Sequence, residues 1–251
     1  MSDTRVDPHV KILDERVVDR AKTRGLDVLV YAPHFTRYPT ARERARQYSD
    51  EDLTIIPARE IFTGTWRERK HVLALDLDAP IPDFITLEGA MAELARQDAV
   101  VLAPHPEFLS VGLDREDLSR YAEQFTAVEV YNPKHLPRHN RRASSLFEDL
   151  ALGAFGSSYA HRVATVGEVW TSVEAAVETA TDLATALAGD TRTRVERQSG
   201  RRHDLRRAAE FAHLGWENSW KKFDRVFLSG TEPTHPDHVA YEGRFDDVAV
   251  Y

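Results

Sequence analysis

The feature that most constrains the fold is a recurring unit, clearest in Gly25–Thr36 (GLDVLVYAPHFT). A glycine closes a helical pattern, an apolar β-prone run follows, and the run stops at Pro33-His34. Related runs occur at Leu53–Glu60, His71–Leu75, Ala99–Pro106, Thr126–Asn132 and Ala154–His161, each with a His or Glu at or near a strand end. A helix, a short loop and a buried strand carrying such a residue at its carboxyl end together furnish the mouth of an α/β barrel. With about seven short strands, most of them separated by helical patterns, the expected fold is a parallel α/β barrel, closed or nearly so.

Read in order, Arg5–Ile12 is a strand with His9 near its middle. Asp14 caps a helix bearing Val17, Val18, Ala21 and Leu26, and Gly25 stops it. Further helices are expected over Thr40–Tyr48, Thr86–Arg96, Asp114–Gln124, Arg141–Leu150 and Val173–Leu187, with a turn at Thr63–Lys70 and a polar loop at Asn132–Asn140. Thr191–Gly200 is polar and reads as a boundary or exposed connection, dividing a barrel domain (1–190) from a C-terminal extension (191–251). In the extension, Leu205–Phe223 reads as a helix whose Leu205, Ala208, Phe211, Ala212, Trp216, Trp220 and Phe223 pack on the barrel. From Ser229 the chain is rich in Pro, Gly and Asp, and an irregular tail draped over the surface is expected.

Composition narrows the function classes. Hydrophobic residues make up 42% and charged residues 29% of the 251 positions, an ordinary globular balance. No apolar run approaches a membrane span and the first residues lack a signal peptide's apolar core, so a cytoplasmic protein with no membrane partner is expected. With no cysteine, any metal must be held by His, Asp or Glu. The net charge of −8 argues against a nucleic-acid-coating surface. Six lysines against 27 arginines, with many acidic residues, suggest a GC-rich and halophilic, archaeal-type source.

His9, His34, Glu60, His71, His105, Glu129 and His161 all fall at strand ends or in short strands, so a barrel would gather them at one mouth. Imidazoles with carboxylates suit zinc, manganese or iron. Ions held there can activate water and offset charge on a phosphoryl group.

The order of these residues resembles that of the PHP (polymerase and histidinol phosphatase) superfamily of metal-dependent phosphoesterases, over about Val6 to Ala180. The family's D-L-H-x-H-T motif is similar to Asp7-Pro8-His9-Val10-Lys11-Ile12, and its G-L-D…T-D-H strand to Gly25-Leu26-Asp27 through Ala32-Pro33-His34. The metal-bridging glutamate is matched by Glu60, the next histidine by His71, and the A-H-P motif by Pro104-His105-Pro106. The E-x-x-N strand resembles Glu129–Asn132, whose Glu129 and Asn132 would line the site. The closing G-S-D-A-H resembles Ser157–His161, followed by Val166-Gly167. The resemblance implies a distorted (β/α)7 barrel with a C-terminal helical extension and irregular tail. It also implies a two- or three-metal site.

Three positions depart from these motifs: Lys11 replaces the second histidine of H-x-H, Pro33 the aspartate of D-H, and Tyr159 the aspartate of S-D-A-H. The metal set becomes His9, His34, Glu60, His71, His105 and His161, holding one or two divalent ions (zinc, manganese or iron) rather than three. Lys11 is in phase with His9 on one strand face, so its ammonium is expected inward, standing in for an ion against Glu60. His34, His161 and Tyr159 are candidate catalytic groups, and Arg162 and Lys11 candidate phosphate binders. Arg59, Lys134, Arg138, Arg141 and Arg142 read as solvated loop or helix-start charges. His135, His139, His235 and His238 read as surface residues, with the tail pair as an alternative source of a lost ligand. The function expected is histidinol-phosphatase-like hydrolysis of a phosphate monoester or diester of a small molecule by a metal-activated water. The alternatives are a degenerate barrel that binds a ligand, metal or partner without turnover, and, less favoured by charge, a nucleic-acid phosphoesterase.

Overall fold

Asp14 accepts the Val17 N–H, as its place before an amphipathic run predicts, and helix α1 (Glu15–Thr23) follows. Thr86 does the same for Gly89 N–H at the head of α3 (Leu87–Arg96), and Asp114 and Asp117 form a capping box on α4 (Arg115–Arg120). The computed structural model describes residues 3–65, 67–108, 111–189, 191–213 and 233–250. Helices α2 (Tyr38–Tyr48), α5 (Pro137–Leu150), α6 (Ala180–Ala188) and α7, described over residues 201–213, complete the α-helices of those residues. No helix among them is long and apolar enough to cross a membrane.

The strands are β1 (Thr4–Val10), β2 (Val28–Tyr31), β3 (Thr54–Thr63), β4 (Lys70–Leu75), β5 (Val100–Ala103), β6 (Phe125–Tyr131), β7 (Gly153–Gly156), β8 (Val169–Val173) and β9 (Thr193–Arg197). They form a mixed sheet in the order β7-β6-β5-β4-β3-β2-β1-β8-β9. It curls into a nearly closed barrel. At the seam, the Thr171 hydroxyl of β8 donates to Gly156 O and accepts the Gly156 N–H, both at 3.0 Å. Gly156 permits this approach, since a Cβ there would stand 2.3 Å from Val195 of β9.

The α/β barrel class holds, but the sheet has nine strands and is not all parallel. The pairs β1–β8, β3–β4, β4–β5 and β8–β9 are antiparallel. Gly64–Arg69 is too short a link for a crossover, so β4 must turn back along β3. The reversal matters for the site: the amino end of β4, with His71, lies at the mouth beside Phe62. The run expected over Leu53–Glu60 also extends. Pro57, which lacks an N–H, sits where β3 finishes its ladder with β2, and the strand runs on through Glu60 to Thr63 against β4.

Four further expectations are revised. The helix expected from Val173 begins at Ala180, because Val169–Val173 pairs in the sheet and Thr179 with Asp182 forms the capping box. Thr191–Gly200 contains edge strand β9. Helix α7 turns its polar face inward: His203 and Glu210 are buried while Leu205 and Phe211 are 71% and 54% exposed. The buried carboxylate of Glu168 draws that face in, receiving His203 Nδ1 and Arg206 Nη1 at 2.7 Å each. Trp216, Trp220 and Phe223 lie outside the described residues. The described part of the tail is anchored in the core, where Tyr241 and Phe245 join Met91 and Leu94 in one apolar cluster. Thr171→Val keeps the shape of the seam but strands both backbone groups of Gly156. A loss of about 1–3 kcal/mol is expected in urea unfolding.

Candidate metal centre

Glu60 is the hub. On β3 it alternates with Arg59, and both are fully buried on opposite faces. Arg59 pairs outward with Asp83 at 2.9 Å and donates to Thr36 O at 2.7 Å, which leaves it out of the mouth. Glu60 faces inward. Its Oε2 lies 2.6 Å from the Lys11 ammonium and 2.9 Å from His34 Nδ1. Its Oε1 lies 2.8 Å from His105 Nε2, 3.4 Å from His71 Nδ1 and 3.6 Å from His9 Nε2. The Lys11 ammonium also donates to Ala32 O at 2.7 Å, on the strand end that precedes Pro33-His34.

Glu60 Oε1, His71 Nδ1 and His105 Nε2 form a group fit for one ion, the two nitrogens being 3.3 Å apart. Tetrahedral ligands at about 2.0–2.1 Å from zinc lie about 3.3 Å from one another. The 3.3 Å and 3.4 Å separations from His71 match this, and the 2.8 Å between Glu60 Oε1 and His105 Nε2 would widen around an ion. Both nitrogens of His9, which is fully buried, lack hydrogen-bond partners, as do His71 Nε2 and His105 Nδ1. Such orphaned imidazole atoms are what a metal centre would explain.

Charge states agree. Burial alone would raise the Glu60 carboxyl, but Lys11, His71, His34 and the His105 hydrogen bond hold it well below the ordinary carboxylate value. Burial lowers Lys11 to about 8 against the pull of Glu60, so the pair is ionised at neutral pH. Burial, then the charge of Lys11, lowers His34 to about 3, and burial lowers His71 to about 4. His9 and His161 lie well below the imidazole value, first through burial and then through Lys11 and Lys134 respectively. Neutral imidazole is the ligating form.

Backbone strain marks the same residues. His105, Tyr159 and Phe35 have positive φ of 34°, 46° and 50°, costly for residues with a side chain. The His105 turn is held by Glu129, whose Oε2 accepts the His105 N–H at 2.7 Å. Glu129 is held in turn by Ser157 Oγ and Asn132 Nδ2. Glu129 and Asn132 therefore brace the site's backbone. Asp7 does the same opposite, accepting the N–H groups of Ser158 at 2.9 Å and Gly167 at 3.2 Å.

Tyr159 fills the space between the histidines, its ring 4.7 Å from His9, 4.9 Å from His161 and 5.3 Å from His105. Lys134 and Lys11 lie 4.2 Å and 5.4 Å from its ring centroid. His161 has other partners: its Nδ1 is 2.6 Å from Lys134 Nζ and 3.0 Å from Tyr159 O. Arg162 is exposed, as are Arg138, Arg141 and Arg142.

Sequence reasoning undervalued Lys134, buried at 2% exposure, and missed Glu210 and Arg69, whose guanidinium interacts with Tyr159. The scarcity of lysine was the available signal, since two of the six sit in this site. His135 and His139 are buried, contrary to expectation, because Phe108 stacks on His135 at 4.2 Å and meets His139 edge-on at 5.2 Å. The tail's His235 reaches Phe84 at 6.0 Å, on the rim, and is not part of the Glu60 group.

A family model described as PHP-associated matches residues 137–191. No curated protein sequence matches the chain. The fold is similar to the crystal structure of PsfC from Pseudomonas syringae PB-5123, with a TM-score of 0.66 at 23% identity over 85% of this chain and 100% of that one. It is also similar to the lesion-specific endonuclease PfuEndoQ from Pyrococcus furiosus, with a TM-score of 0.56 at 13% identity over 77% of this chain and 57% of that one. An amidohydrolase from Chromobacterium violaceum, with bound SO4 and no metal, aligns with a TM-score of 0.51 at 13% identity over 62% of this chain and 87% of that one.

Two outcomes follow from the geometry. Lys11→Met leaves Glu60 as a buried, under-compensated charge and should cost about 3–5 kcal/mol in denaturant unfolding. Burial lifts Asp7 from 3.8 to about 7. Between those values the folded protein keeps a proton that the unfolded chain has lost, so this group's contribution to stability falls as pH rises. Asp7→Asn removes that slope. The variant's stability relative to the parent should therefore improve between pH 5 and pH 7.5 in urea titrations.

Proposed function

We propose that the chain, which matches a PHP-associated family model over residues 137–191, is a member of the PHP superfamily and hydrolyses phosphate esters of small molecules at a centre reduced to one divalent ion. The observation that carries this reading is Lys11. Its ammonium lies 2.6 Å from Glu60 where the family motif has a second histidine, and Glu60, His71 and His105 remain grouped for ligation. Those three residues would hold zinc, manganese or iron, with His9 beside them. When bound, such an ion supplies Lewis acidity toward a phosphoryl oxygen and brings water's pKa toward neutrality.

The chain's own groups do the rest. Lys11, Lys134 and Arg69 are fixed positive charges around Tyr159, able to offset the charge of a phosphoester without reorganising. His34 is neutral, and with its side chain 21% exposed it is the candidate to hydrogen-bond the substrate at the mouth. Tyr159 offers a hydroxyl to a leaving group. The net charge of −8 favours a small phosphorylated substrate over nucleic acid, although one structural neighbour is an endonuclease of which this chain spans 57%.

A second reading, binding without turnover, draws on the Tyr159 ring, which occupies space between His9 and His105. Metal analysis and a phosphomonoester and phosphodiester panel with Mn²⁺, Zn²⁺ and Fe²⁺ separate the two. About one ion per chain with metal-dependent hydrolysis is expected, and Glu60→Gln or His105→Ala should weaken metal binding at least about tenfold. A bound ion with no turnover across the panel would leave the binding reading. No ion and no hydrolysis would defeat the proposal.

A further inference from the structure

The second buried lysine of the site is tied to a residue outside the barrel. Lys134 Nζ lies 2.6 Å from His161 Nδ1 and 3.2 Å from Glu210 Oε1, over the Tyr159 ring at 4.2 Å. Glu210 comes from α7, and the same Oε1 accepts the backbone N–H of His161 at 2.7 Å. Glu210 and Lys134 are each 2% exposed. One carboxylate oxygen thus holds both the backbone of His161 and the cation against its ring.

This arrangement decides where the imidazole proton sits. A lysine beside a carboxylate and over an aromatic ring stays charged, and an ammonium has no lone pair, so it can only donate. With that ammonium against Nδ1, His161 cannot be an imidazolium, and Nδ1 must offer its lone pair. Tyr159 O, 3.0 Å from the same nitrogen, makes the opposite demand, since a carbonyl oxygen would take a proton from Nδ1. The charged contact is the shorter and the stronger of the two. The ring proton is then carried on Nε2.

We propose that Glu210 and Lys134 are positioning residues that lock His161 in the Nε2–H tautomer, making it a hydrogen-bond donor to a phosphoryl oxygen rather than a metal ligand. A ring protonated at Nε2 does not ligate through that atom, and Nδ1 is taken by Lys134. Two ammonium groups therefore replace ligation in this barrel, Lys11 against Glu60 and Lys134 against His161. The polar docking of α7 through Glu168 is what brings Glu210 to the site. The identity of the anion rests on the phosphoester reading above, whereas the tautomer does not.

Long-range ¹H–¹⁵N spectra of metal-free, histidine-labelled protein read the tautomer directly, with the His161 signals assigned by their loss in His161→Gln. The parent should show a pyrrole-like Nε2 and a pyridine-like Nδ1. Lys134→Met should move the proton to Nδ1, toward Tyr159 O, and Glu210→Gln, which leaves the ammonium but not its carboxylate partner, should shift the tautomer balance the same way by less. The same variants should weaken binding of inorganic phosphate to the metal-free protein about tenfold. A parent His161 with its proton on Nδ1 overturns the proposal, and needs no variant to fold. So does a folded Lys134→Met protein in which both tautomer and phosphate affinity are unchanged. A lack of metal-dependent hydrolysis leaves both readouts standing and counts only against the hydrolase reading.

Discussion

A carboxylate buried at the centre of a barrel is tolerable only if something positive is buried with it, and here that is the Lys11 ammonium on Glu60. Four imidazoles approach the same carboxylate, and burial lowers the proton affinity of three of them, His9, His34 and His71, so those rings supply no full charge at neutral pH. Lys11 does so from the position that follows β1, beside β2 and two strands from Glu60 itself. The pair draws the ends of β1 and β2 to Glu60 on β3, because the ammonium also binds Ala32 O. An ion can be lost or exchanged, whereas a lysine is permanent. The chain has made part of the charge of its site covalent.

Around that pair the backbone is held in strained shapes. Phe35, His105 and Tyr159 adopt left-handed conformations, and buried carboxylates with no role as ligands hold the backbone at His105 and beside Tyr159. Glu129 fixes the turn at His105, and Asp7 fixes the Ser158–Gly167 side of the mouth. Burial raises both carboxyls above their ordinary range, so each contributes stiffness at some cost in stability. That exchange is common where side chains must keep a fixed geometry.

The elements outside the barrel extend the same logic. The Glu168 carboxylate gathers Arg20, Arg24, His203 and Arg206, and this cluster clamps α7 to the barrel by its polar face. With α7 clamped, Glu210 lies against Lys134 and His161. The apolar residues Leu205 and Phe211 are left outward, the reverse of what an amphipathic pattern alone suggests. A charge that must be buried outweighs an apolar face that prefers to be, since an unpaired buried ion costs more than an exposed leucine.

Local pattern alone carried most of the strands, the caps of α1 and α3, and the placing of His9, His34, Glu60, His71 and His105 together. It could do so because β-alternation and capping depend on near neighbours in the chain. The inward phase of Lys11 was legible for the same reason, since it lies two residues beyond His9 on one strand. Only the tertiary structure decided the rest. Antiparallel β4, the late strands β8 and β9, buried His135 and His139, and the contact of Lys134 with Glu210 all depend on partners far away in sequence. Polar residues owe their burial to the charges they meet, and which charges meet is settled only when the barrel closes.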